Sequence, residues 1–113
     1  EAYAAGELKH GTISLIESET LVIGVLTQDK LAEKTAGNLE EVKSRDASIA
    51  VIAAEGVKIP ESCGKAVVIP CTDGHFTASL SVIPLQLYAY YLSVLRGNDV
   101  DKPRNLSKSV TVE

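Results

Sequence analysis

No methionine occurs anywhere in the 113 residues, and the chain opens directly in EAYAAGELKHG. That opening reads as the interior of a sequence, so the expectation is a fragment or a processed piece of a longer protein. No positively charged stretch leading into an apolar run marks a signal peptide at the amino terminus. Cysteine is scarce. Cys63 and Cys71 are too few for a disulfide framework, and they show neither CxxC spacing nor a metal-site pattern with the two histidines. Both are therefore expected to be unbridged and unliganded, with Cys71 half-buried at a strand end, in a reducing cytoplasmic setting. Basic runs are missing too: Lys and Arg number 11 against 15 Asp and Glu, a net charge of −4. A nucleic-acid partner has no electrostatic footprint in such a chain. GxGxxG, Walker and GxSxG motifs are absent.

What is present is a globular amount of apolar sequence, 45% of residues, enough for a core in one small domain. TLVIGVLT (20–27) is an almost unbroken, β-branched run that reads as a strand buried on both faces. QDKLAEKTAGNLEEVKSR (28–45) places Leu31, Ala32, Thr35, Ala36, Leu39 and Val42 on one helical stripe, with Thr27 or Asp29 able to cap its start. SIAVIAA (48–54) and AVVIP (66–70) read as two further strands. Strand, helix, strand is the pattern of a right-handed βαβ unit with a parallel sheet. Residues 1–9 read as a short helix, His10–Gly11 as a turn, and TISLIES as another short element.

From Phe76 to Leu95 no charged residue appears, a stretch long enough to cross a bilayer. Three serines, a threonine, Gln86 and Pro84, together with the βαβ context, favour instead a helix buried on nearly all sides, against the sheet or a second subunit. No membrane role is expected. Pro84 should kink this helix or start its main segment, and Gly97 should stop it. Tyr88, Tyr90 and Tyr91 are expected mainly on a buried or interfacial helix face, in packing rather than in catalysis. Beyond Gly97 the chain loses periodicity and is expected to run as an irregular tail.

Three residues have chemistry to offer. Lys108 sits between two serines, with Arg104 four residues earlier. A lysine amine is a nucleophile only when neutral, and burial or a nearby cation lowers its pKa toward that state; the bland alternative is a solvated surface lysine. His10 lies at a turn, three residues after Glu7, and reads either as a proton-transfer group or as an ordinary turn histidine. His75, in CTDGHFT, falls between the third strand and the long helix, the ligand-binding edge of a parallel sheet. Capping of the helix by Thr72 or Asp73 accounts for that polar cluster without a ligand.

AYAAGELKHG (2–11) and DVDKPRNLSKSVTVE (99–113) closely resemble the glutamine–fructose-6-phosphate aminotransferase (isomerising) family, also called glucosamine-6-phosphate synthase. VIPLQLYAYYLSVLRGNDVDKPRNL (82–106) is similar to that family's last helix and tail, and residues 45–80 diverge most. HGTISLI has threonine where many members have proline after the glycine, and NLSKS has serine where alanine is usual. The resemblance implies an α/β, three-layer, parallel-sheet SIS-type (sugar-isomerase, flavodoxin-like) subdomain. Residues 1–97 would form the C-terminal part of the second SIS subdomain, and residues 98–113 an active-site tail. It further implies that Lys108 forms a Schiff base with the ketose of fructose 6-phosphate. His10 would serve ring opening, reaching the neighbouring subunit's site in a homodimer, and Ser107 would lie beside the sugar. The implied product is glucosamine 6-phosphate, made with no metal or organic cofactor in the cytoplasm. The family's carboxylate base, phosphate loops and glutaminase cysteine match nothing in this chain. Two readings compete: a catalytically incomplete folding or dimerisation module, and a non-enzymatic SIS-type sugar-phosphate sensor.

Overall fold

The structure is a computed structural model, and it describes residues 1–102. The chain forms two compact units, the first spanning residues 1–81 and the second beginning at 82.

The first unit is organised by a three-stranded parallel sheet: β1 (Leu21–Leu26), β2 (Ser48–Ala54) and β3 (Lys65–Ile69), in the order β1-β2-β3. β1 pairs with β2 from Leu21↔Ser48 to Leu26↔Ala53, and β2 with β3 from Ala50↔Lys65 to Ala54↔Ile69. α1 (Asp29–Lys43) makes the crossover between β1 and β2. The expected α/β class with its parallel βαβ unit is what the chain adopts.

Side-chain alternation along the strands decides which residues meet α1. Leu26 from β1 and Ile49, Val51 and Ala53 from β2 form a core with Ala32, Leu39 and Val42 of α1 and with Ala47. Leu26, Val42 and Val51 are each 1% exposed. Gly24 lets the Leu39 side chain sit where it does: a Cβ at that position would lie 2.5 Å from Leu39 Cδ1 and 3.3 Å from Leu26 Cδ1. A glycine in a strand interior marks such a close approach. Of the expected helical stripe, Ala32, Leu39 and Val42 are buried, while Leu31 is half exposed.

The start of α1 differs from the expectation of a Thr27 or Asp29 cap. The N-cap is Gln28, with no side-chain cap hydrogen bond, and Asp29 instead lies in the first turn, where its charge complements the helix dipole. At the other end Asp46 takes a left-handed conformation (φ 63°), which aspartate tolerates better than most residues.

The connection from β2 to β3 has no helix. Val57, Ile59 and Cys63 from this loop pack against the core instead. Lys43 Nζ donates to the Ser62 carbonyl and Ser62 Oγ to Glu40, so the loop is fastened along α1. Before β1, the chain forms two 3₁₀ turns, Ala5–His10 and Thr12–Leu15, in place of the expected short helix over residues 1–9. Leu8 and Ile16 anchor this segment on the core.

α2 (Thr77–Leu95) runs as one helix with Pro84 inside it. Proline has no N–H, so the Leu80 carbonyl lacks its usual helical donor. The helix ends as expected at Gly97 (φ 71°): Asn98 N donates to Ser93 O at 3.0 Å and Gly97 N to Val94 O at 2.9 Å. That pair of bonds is a Schellman motif, which glycine permits because it has no Cβ. The expected burial of α2 is against the sheet or a second subunit, and the chain taken alone leaves most of the helix exposed. Ser81 is its one buried residue, and Val82, Ile83, Leu87, Tyr88, Tyr90, Tyr91, Val94 and Leu95 are exposed. Apolar composition sets what a helix would gain by burial, not whether a covering surface lies in the same chain. By length and composition alone α2 is long and apolar enough to cross a membrane.

Candidate functional site

His10 ends the first 3₁₀ turn and is exposed, with Gly11 next to it in a conformation (φ 140°) that side-chain-bearing residues rarely adopt. Its neighbours are tied down. Leu8 is in the core, Lys9 Nζ lies 2.6 Å from Glu41 Oε1 on α1, and Thr12 Oγ1 donates back to the Leu8 carbonyl at 3.3 Å. Ser14 Oγ donates to the Gly11 carbonyl at 2.6 Å. The turn expected at His10–Gly11 is therefore present, and its shape is set by residues on both sides.

His75 and Asp73 form a second polar group, just ahead of α2. Asp73 Oδ1 accepts from the His75 backbone N–H at 2.9 Å and lies 2.7 Å from His75 Nδ1. Thr77 Oγ1 donates to the Asp73 carbonyl at 3.2 Å, and so does Phe76 N at 2.9 Å. Asp73, rather than Thr72, is thus the organising residue of the turn that leads into the helix, an Asx-type arrangement. The bond from the His75 N–H, then the one from its ring, hold the Asp73 carboxyl below its ordinary value of 3.8. A lowered carboxyl stabilises the folded turn above the ordinary value, and that stabilisation is lost as pH falls through the lowered one. In a pH titration followed by carboxyl ¹³C NMR, Asp73 should have its midpoint below 3.8, with the His75 amide shift following it. A midpoint at or above 3.8 would show that the turn does not stabilise the carboxylate.

The cysteines are free thiols. Cys63 is half-buried, and burial followed by the charge of Glu40 pushes its thiol up, away from a reactive thiolate. Cys71 is exposed, not half-buried, because β3 ends at Ile69 and leaves it in the following loop. Tyr88, Tyr90 and Tyr91 are all exposed in the single chain, with the last two rings in edge-to-face contact at 5.3 Å.

Sequence reasoning passed over a cleft of about 230 Å³ at the carboxyl end of β1, lined by Val25, Leu26, Thr27, Gln28, Leu31, Ala32 and Thr35. The signal was the strand-to-helix junction, where open α/β sheets bind ligands; Thr27 was read only as a cap. Neither His10 nor His75 lines it. Lys108, Ser107 and Arg104 lie outside the described residues.

Residues 1–96 match the SIS domain family. The chain belongs to that family. It is 57% identical over 114 residues to glutamine–fructose-6-phosphate aminotransferase (isomerizing) of Clostridium tetani, matching all of this chain and 19% of the relative. The enzyme of the same name from Caldanaerobacter subterraneus subsp. tengcongensis is 52% identical, again over the whole chain and 19% of the relative. Among solved structures, the C-terminal domain of glucosamine-fructose-6-phosphate aminotransferase from Francisella tularensis superposes with a TM-score of 0.74 at 34% identity. That match covers 91% of this chain and 30% of the other. The SIS segment thus spans about a fifth of the length of the curated relatives it matches.

Proposed function

We propose that this SIS segment is the carboxy-terminal part of the isomerase domain of an enzyme making glucosamine 6-phosphate from fructose 6-phosphate and glutamine. The observation that carries the reading is the 57% and 52% identity, over the whole chain, to two aminotransferases of that name. Residues 1–97 complete the second SIS subdomain, and residues 98–113 form the active-site tail. Lys108 is the nucleophile. Its neutral amine adds to the sugar C2 carbonyl and water leaves, giving an imine more electrophilic toward ammonia. Ser107 lies beside the sugar. His10 moves the proton that opens the ring, reaching into the neighbouring subunit of a homodimer, and its exposed place on a fastened turn supports such a role. The setting is cytoplasmic, and the chemistry uses no metal or organic cofactor.

Full-length protein supplied with fructose 6-phosphate and ammonium salt, without glutamine, should accumulate glucosamine 6-phosphate. Calorimetric binding of the sugar phosphate with no product formed would favour the sensor reading. Absence of both would leave a folding or dimerisation module and overturn the proposal.

A further inference from the structure

We propose that Glu41 on α1 is a positioning residue for His10, acting through Lys9. The inference rests on the ring-opening role of His10 given above and adds to it how the histidine is aimed. His10 projects from a 3₁₀ turn, a short element with poor hydrogen-bond geometry of its own. The backbone on its carboxyl side is held by local bonds, Thr12 Oγ1 to the Leu8 carbonyl and Ser14 Oγ to the Gly11 carbonyl. On its amino side Leu8 reaches the core and the turn packs along α1. The Lys9–Glu41 bond, at 2.6 Å, adds a second attachment to a different element, 32 residues away in sequence. Together with the packing of Leu8, this bond limits how far the turn can tilt, and so the direction in which the next residue leaves the surface. α1 is a suitable base because Leu39 and Val42, on either side of Glu41, are buried in the core. Small displacements of a catalytic group are costly, since reaction requires near-contact geometry.

Both charged side chains are about half exposed, so the bond is a modest one and the expected effect is small but measurable. In the full-length protein, Lys9→Met and Glu41→Gln should each lower kcat for fructose 6-phosphate about two- to fivefold, with KM nearly unchanged. The double variant should fall no further than either single one, the mark of two residues acting through one bond. Lys9→Arg, which keeps the ion pair, should retain wild-type kcat. Thermal unfolding of each variant separates positioning from stability: a fall in kcat with an unshifted Tm is expected, and a fall that appears only with a lowered Tm would overturn the proposal. Unchanged kcat in both single variants, additive losses, or a failure of Lys9→Arg to retain activity would each overturn the proposal. His10→Ala separates the two levels. If it alone is impaired, the positioning role fails and the ring-opening role stands; if it keeps full kcat, both fall.

Discussion

Full-length protein carrying Lys108→Arg is expected to yield no borohydride-trapped sugar and to lose at least about a thousandfold in turnover, roughly 4 kcal/mol of barrier. In the unaltered protein, hydride should reduce the proposed imine to a secondary amine and leave the sugar phosphate attached to one peptide, which mass spectrometry should place at Lys108. Arginine keeps the positive charge, so electrostatic attraction for a phosphosugar is preserved. Its guanidinium does not deprotonate at working pH and offers no free amine to a carbonyl. The substitution therefore separates charge from nucleophilicity. Trapping that persisted, or that mapped to another lysine, would remove Lys108 from the chemistry.

Leu26→Ala should lower unfolding free energy by about 2–5 kcal/mol in urea denaturation. Leu26 is 1% exposed and lies where β1, β2 and α1 meet. Truncation removes transfer free energy and leaves a void that the sheet cannot close without breaking the Leu26↔Ala53 pairing. A loss of that size is a large share of the about 5–15 kcal/mol that holds a typical domain folded. Leu31→Ala, in the adjoining cleft, provides the contrast: this side chain is 48% exposed, and its loss should cost no more than about 0.5 kcal/mol. Equal effects at the two positions would mean that the core is not where these contacts place it.

The strands were plain from their apolar runs. Expected spans of 20–27, 48–54 and 66–70 became Leu21–Leu26, Ser48–Ala54 and Lys65–Ile69, because long β-branched runs bounded by polar residues have few other places to go. Gly97 was equally readable, since a glycine after an apolar helix meets a specific backbone demand. Which surface covers α2, the sheet or a second subunit, could not be read, because hydropathy records what a segment avoids and says nothing of what stands beside it. The cap at Gln28 was missed since tertiary packing of Ala32, Leu39 and Val42 sets where α1 begins more strongly than a local hydrogen bond does. As for the site, the turn at His10 was visible in the residues, but the two attachments around it required coordinates. The roles of Lys108 and Ser107 came from family resemblance alone, and both residues lie outside the described part of the chain.

The approach of Gly24 to Leu39 ties two distant positions into one unit of variation. A methyl group at position 24 has room only if the Leu39 side chain shifts or gives up volume, and a bulkier side chain at 39 is best accommodated while 24 stays bare. Across many natural versions of this segment, changes at the two sites should therefore be correlated.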